Sequence, residues 1–286
     1  TGQPGGQSGT AGAHALESGW GAPVGERVLE HGRDFDVCVL AIPIGALPPL
    51  VRELTLPSSP HHDPRWRAMV DGVSLIETVS AQLWLDRPAA ELFDGPPRGL
   101  LTGFAHPQAS FGELSHLIAS ERWESPPPQL ALYLTGALLA GARLPEGGPE
   151  LLHRAERRSA WWREQFELWL ATHYRDLFPR GPSSYEALLE LLRVPASAEP
   201  AHGADRLAAQ WFDIARYPSD LYVLSRPGEM RLRMAPHESG VRFMLLAGDW
   251  TRTDLGCGCV EAATQSGMLA ARVLSGEPVY LWRTGF

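Results

Sequence analysis

The chain has 286 residues, 44% of them hydrophobic and 20% charged, which is enough apolar content to bury the core of one large domain or two small ones. A formal charge of −8 and a pI near 5.7 lack the basic excess that nucleic-acid binding draws on, and the arginines are scattered rather than striped. All 25 positive side chains are arginine, so the chain offers no phosphate-loop lysine, no Schiff-base lysine and no lysine general base.

Thr1 to Gly12 is rich in Gly, Gln, Ser and Thr and has neither a basic start nor an apolar core, so it does not read as a signal peptide. Residues 1–25 read as a disordered or truncated N-terminal segment. Phe35 to Ile42 is a nearly continuous apolar run, the pattern of a strand buried on both faces. Pro43, Pro48 and Pro49 break the longest apolar stretch, Val37 to Val51, so it is not a membrane span. Pro57 to Pro64 is a proline-rich loop. Val73 to Leu85 alternates and predicts a long strand, and Gly99–Ala105 and Gln129–Thr135 predict two more, together an antiparallel sheet.

From Pro149 to Phe178 the period changes. Trp162, Phe166, Trp169, Leu170 and Leu177 recur three or four apart among charged residues, which predicts a long amphipathic helix ended by Pro179 and Gly181. A shorter helix is expected over Ser184–Arg193 and a strand over Leu207–Ala215. Phe243–Ala247 predicts a buried strand, Gly248-Asp249 a turn, and Cys259–Leu274 a helix whose inner face carries Val260, Ala263, Thr264, Gly267, Ala271 and Leu274.

This strand, Gly-Asp turn, loop and helix form a βα unit of the kind that binds anionic groups. The helix start offers unpaired N–H groups and partial positive charge, and a carboxylate at the strand end accepts hydrogen bonds from sugar hydroxyls. Many such turns hold Gly and Asp for backbone reasons alone, so both readings stand. Cys257-Gly258-Cys259 reads as a redox pair or half of a metal site, but no second ligand pair follows it, and no metal is assigned. His61-His62-Asp63 reads as an exposed loop. Three cysteines, two of them flanking a single glycine, do not make a disulfide framework, which points to a reducing, cytoplasmic compartment. No Gly-x-Ser-x-Gly elbow is present to start a hydrolase triad.

Leu246-Ala-Gly-Asp-Trp-Thr, Gly258-Cys-Val-Glu-Ala-Ala and Ser266-Gly-Met-Leu-Ala-Ala-Arg resemble the C-terminal FAD-binding motif of the flavin amine oxidase and carotenoid (phytoene) desaturase superfamily. Phe35 to Leu47 is similar to that family's later FAD-domain strand, and Arg216-Tyr-Pro with Arg226-Pro-Gly resembles its return from the substrate domain to the flavin.

The resemblance implies an α/β fold with α+β elements. A glutathione-reductase-like FAD-domain portion at 26–56 and 236–286 would flank a substrate domain of antiparallel sheet and helices at 57–235. It implies FAD as cofactor, with Gly248, Asp249, Gly258, Cys259, Val260 and Glu261 around it, although Glu261 reads equally as a first-turn acid favoured by the helix dipole. Trp211 and Trp250 read as walls of a substrate cavity or as plain core. Arg252 and Asp254 read as solvent-facing loop charges.

Two departures shape the expectation. The family's opening Gly-x-Gly-x-x-Gly unit is missing, which implies a C-terminal portion that needs an N-terminal FAD-binding segment. The lysine that many of its amine oxidases place near the flavin is missing too, which favours the desaturase-like branch. The expected activity is hydride removal from a C–H bond of an apolar small molecule, a substrate class compatible with peripheral membrane contact. No catalytic acid or base is assigned. The alternatives are an amine oxidase and a non-catalytic fragment or subunit completed by a separate N-terminal half.

Overall fold

The computed structural model describes residues 25–95, 100–123, 126–138, 149–195, 201–215 and 217–281. The expected disordered or truncated stretch over 1–24 lies outside the described residues, as does Arg216. In chain order the elements are β1 (Cys38–Leu40), α1 (Arg52–Thr55), α2 (Pro64–Gly72), β2 (Leu75–Leu85), α3 (Ala89–Leu92), β3 (Leu100–Thr102), β4 (Ser110–Glu113) and β5 (Leu130–Leu138). There follow α4 (Pro149–Leu177), α5 (Tyr185–Leu189), α6 (Ala204–Ala208), β6 (Trp211–Ile214), β7 (Tyr222–Val223), β8 (Met244–Leu246) and α7 (Val260–Ser275). Helices combine with both antiparallel and parallel strand pairs, so the fold is of the α/β class with α+β elements. No helix among the described residues is long and apolar enough to cross a membrane.

The chain divides into two compact units. The central unit is drawn from Glu77–Leu139 and Pro145–Arg216, and the flanking unit from Gly21–Ile76 and Tyr217–Phe286. Residues 57–76 and 217–235, grouped with the inserted domain on sequence, therefore fold with the flanking unit.

In the central unit the antiparallel strands run in the order β3, β4, β5, β2, β6. β2 and β5 pair over nine residues, from Glu77 opposite Leu138 to Leu85 opposite Leu130. Their alternation puts Leu83, Leu85, Leu132 and Leu134 into the core. Trp162, Phe166, Leu170 and Leu177 of α4 lie on one stripe and are buried in the same cluster, while Leu168 on the other side is exposed. Each such fully buried large side chain contributes about 1.5–3 kcal/mol. Trp162 also donates its indole N–H to the Ser80 carbonyl at 3.1 Å, so its polar edge is not left bare. Two expectations change here. Leu207 lies in helix α6, so the strand begins only at Trp211, and Ser110–Glu113, between the two predicted strands, forms a further strand, β4.

In the flanking unit β1 and β8 pair in parallel, Cys38 opposite Met244 and Leu40 opposite Leu246. Below them Ile44, Leu47, Val51, Trp66, Met69, Val73, Val223, Met234, Leu246 and Trp250 form one core. Asp63 does not stand free in a loop: it caps α2, accepting from the Arg65 amide at 2.9 Å and pairing with its guanidinium at 2.6 Å.

Two expectations about burial are corrected. β1 is not buried on both faces, because α7 packs on β8 and leaves Val39, opposite Leu245, 47% exposed. On α7 the buried positions are Ala262, Gln265, Ser266, Leu269 and Ala270, whereas Val260, Thr264, Ala271 and Leu274 are exposed. The helix carries small or apolar residues nearly all round, so two stripes satisfy the same three-to-four spacing. Hydrogen bonds from Ser266, which a hydrophobic pattern does not register, select the face.

Candidate functional site

Both parallel strands of the flanking unit end at the same edge. β1 runs into Ala41 and Pro43, β8 runs through Ala247 into Gly248, Asp249 and Trp250, and the loop from Thr251 returns to start α7. The carboxyl edge of parallel strands, beside a helix N-terminus, is where open α/β sheets form ligand crevices. Here Ala41, Pro43, Tyr222, Gly248, Asp249, Trp250, Cys259, Val260, Glu261 and Ala263 line an open cleft of about 630 Å3. That volume lies within the roughly 300–1,000 Å3 of small-molecule sites.

Gly248 has φ +140°, and a Cβ there would stand 2.4 Å from the Trp250 indole nitrogen, so only glycine fits the turn. Its amide donates to Ser266 Oγ at 3.1 Å, which fixes the turn to α7. Asp249 is half-buried at the cleft wall. Burial pushes its carboxyl pKa up, against the opposing pull of the Arg233 charge and of the Asp249 and Trp250 amides. Arg233 is 1% exposed beneath the turn and donates to the Asp249 carbonyl at 2.9 Å and to Ser225 Oγ at 2.8 Å. Burial pulls its pKa down while Asp249 and Glu229 pull it up. Trp250 is buried, and its indole N–H has no partner in the structure.

Cys259 is the N-cap of α7, its Sγ accepting from the Ala262 amide at 3.3 Å, and Ala263 N makes the first intrahelical bond, to the Cys259 carbonyl at 3.1 Å. The Val260 and Glu261 amides precede that bond and belong to the donors a helix leaves at its start. Gly258 is buried, and a Cβ there would lie 2.5 Å from the Val223 carbonyl and 3.0 Å from the Tyr222 ring. Burial raises the Tyr222 pKa, with the Cys259 and Asp249 charges adding to it.

Of the residues singled out on sequence, Gly248, Asp249, Trp250, Cys259, Val260 and Glu261 line this cleft, and Gly258 supports it from behind. Trp250 is at once cleft wall and core. Trp211 is elsewhere: it lies on β6 of the central unit, 43% exposed, with its ring stacked 6.4 Å from Tyr133. Arg252 is not a free loop charge, since it pairs with Glu238 at 2.5 Å, whereas Asp254 is exposed. Among the described residues no group of three or more His, Cys, Asp or Glu is placed to hold a metal.

Tyr222 and the buried Arg233 were not singled out, whereas Ala41 and Pro43 fall within the Phe35 to Leu47 stretch that resembles an FAD-domain strand, without having been named as site residues. The only sequence signal near Tyr222 and Arg233 was the Arg-Pro-Gly between them, which names neither.

No protein-family model and no curated protein sequence matches the chain. Among solved structures it is similar to an oxidoreductase from Methanosarcina mazei, with 14% sequence identity and a TM-score of 0.42. The match covers 85% of this chain and 43% of that one, so the chain spans less than half the length of that protein.

Proposed function

We propose that the chain is part of an FAD-dependent oxidoreductase that removes hydride from a C–H bond of an apolar small molecule, in the manner of the desaturase-like flavoenzymes its sequence resembles. The observation that supports this reading is the convergence on one cleft of a half-buried carboxylate, a glycine no other residue can replace, and a helix N-terminus, all at the carboxyl edge of parallel strands.

In this reading Asp249 accepts hydrogen bonds from ligand hydroxyls, Gly248 lets the ligand approach the backbone, and the Val260 and Glu261 amides face its anionic edge. Bound FAD supplies the hydride acceptor. Tyr222 and Trp250 keep water from one side of the cleft. Glu261, on the rim, adds negative charge where the helix dipole tolerates it. The chain contributes positioning, and no side chain is assigned as acid or base. A cytoplasmic setting and contact with a membrane surface that holds the apolar substrate belong to the same proposal.

A second reading, in which a separate N-terminal half completes the FAD site, is favoured by the exposed Val37, Val39 and Ile42 along β1. These residues present an apolar strand with one hydrogen-bonding edge unpaired among the described residues. Titration of FAD with the purified chain, followed by flavin fluorescence and the visible spectrum, tests the proposal. Binding that Asp249→Ala weakens at least tenfold supports it. Equal binding by Asp249→Ala overturns the assignment of this cleft, whereas absence of binding by the chain alone overturns the first reading in favour of the second.

A further inference from the structure

Cys257 and Cys259 lie on the loop that enters α7, and their sulfurs are 3.5 Å apart in the reduced protein. Cys257 is exposed, whereas Cys259 is half-buried behind it as the helix cap. We propose that these two residues form a redox-active dithiol, which a low-molecular-weight disulfide converts into a Cys257–Cys259 disulfide. The proposal does not depend on the cofactor reading, because it rests only on the two thiols and the cap.

The asymmetry assigns the roles. Cys257, as thiolate, is the sulfur an external disulfide RSSR reaches, and its attack gives a Cys257–S–SR mixed disulfide and releases RS⁻. Cys259 then loses its proton and attacks the Cys257 sulfur, forming the internal bond and expelling a second RS⁻. Two thiols are oxidised by two electrons, RSSR is reduced to two thiols, and the two protons end on the products. Burial raises the Cys259 pKa, with the neighbouring Cys257 and Glu261 adding to it. Cys259, half-buried and engaged as the cap of α7, is the less accessible sulfur, which suits a resolving rather than an attacking thiol.

The local backbone sets where the movement falls. The sulfurs must close from 3.5 Å to about 2.05 Å. Gly258 cannot shift freely, being packed against the Val223 carbonyl and the Tyr222 ring. Gly256, at φ +57°, precedes Cys257 and is held by Ser225 Oγ donating to its carbonyl, so the movement falls on the Cys257 side chain. A bond across one intervening residue is strained, so it has an oxidising potential and is readily reduced. Closure also draws the Cys259 sulfur from the Ala262 amide, which weakens the cap of the helix that borders the cleft.

The test uses the full chain equilibrated with graded ratios of oxidised to reduced glutathione, then alkylated, digested and weighed. The expected product is a peptide in which Cys257 and Cys259 are joined, protected from alkylation until dithiothreitol is added. Cys259→Ser should instead accumulate a glutathione adduct on Cys257 to near one per chain, and Cys257→Ser should form little adduct at Cys259. Hydrogen exchange at Ala262 should quicken severalfold on oxidation. Separate glutathione adducts on both cysteines of the wild-type chain, or a Cys257 adduct as persistent in wild type as in Cys259→Ser, would overturn the pairing. Unchanged exchange at Ala262 would overturn its link to the helix cap.

Discussion

The hydroxyls of Ser266 and Thr251 stand 2.7 Å apart between α7 and the turn after β8. Ser266 accepts from the Gly248 amide at 3.1 Å, and Thr251 donates to the Gly248 carbonyl at 2.9 Å, so three residues close a small buried ring of hydrogen bonds. The ring fixes the backbone next to Asp249 without using the carboxylate. Ser266→Ala leaves the Gly248 amide without its acceptor and should cost about 1–3 kcal/mol. The expected signature is a lower urea midpoint at unchanged slope; an unchanged midpoint would mean that water replaces the hydroxyl.

Asp249 makes a different demand. Its carboxyl pKa is raised in the folded chain, so between the unfolded and folded values the folded state holds more protons than the unfolded one. Stability due to this group therefore falls as pH rises through that window and stays lower above it. Asp249→Asn should make the ligand-free chain more stable at neutral pH and remove the associated pH dependence, while weakening FAD binding. Thermal melts across the acid range, paired with FAD titration, check both halves; a less stable variant at neutral pH would reverse the sign assigned to burial.

Arg233 counters that burial from below. Arg233→Met retains most of the buried stem but removes the donors to the Asp249 carbonyl and Ser225, an expected loss of about 1.5–3 kcal/mol. With the positive charge gone, the Asp249 carboxyl should titrate at still higher pH, which a carboxyl-carbon NMR titration would detect.

In the central unit Glu77 is 2% exposed and meets Arg158 at 2.6 Å. Arg158→Met strands a buried carboxylate and should cost roughly 3 kcal/mol, the low end for such pairs because the Arg158 side chain is 28% exposed. Adding Glu77→Gln should restore part of that loss. A double-variant loss equal to the sum of the Arg158→Met and Glu77→Gln losses would show that the pair is uncoupled.

Sequence periodicity carried the secondary structure well where one face is apolar. Trp162, Phe166 and Leu170 mark α4 because polar residues separate them, and β2 forms where alternation predicts a strand, although both its faces are covered: Ser80 and Trp84 are buried along with Val79, Ala81, Leu83 and Leu85. Periodicity failed on α7, where Ser266 and Gln265 are buried and Val260 and Leu274 are not. It also failed on β1, since an apolar run does not say how many neighbours will cover it. The Gly248 turn and the start of α7 were legible as chemistry because residue types repeat a βα pattern. Tyr222 and Arg233 were not: Tyr222 reaches the cleft through packing between segments distant in sequence, and Arg233 lies buried beneath the turn, where only the fold places it.

The pairing of β1 with β8 joins residues about 200 positions apart. On a ribosome adding about 5–20 residues per second, β1 would wait roughly 10–40 seconds for its partner to be made. The antiparallel β2–β5 pairing of the central unit closes over a much shorter stretch and needs no such wait. The emerging chain therefore leaves the Cys38–Leu40 backbone without its partner strand through most of its synthesis, and this is the stage at which a chaperone that holds apolar strands has something to hold.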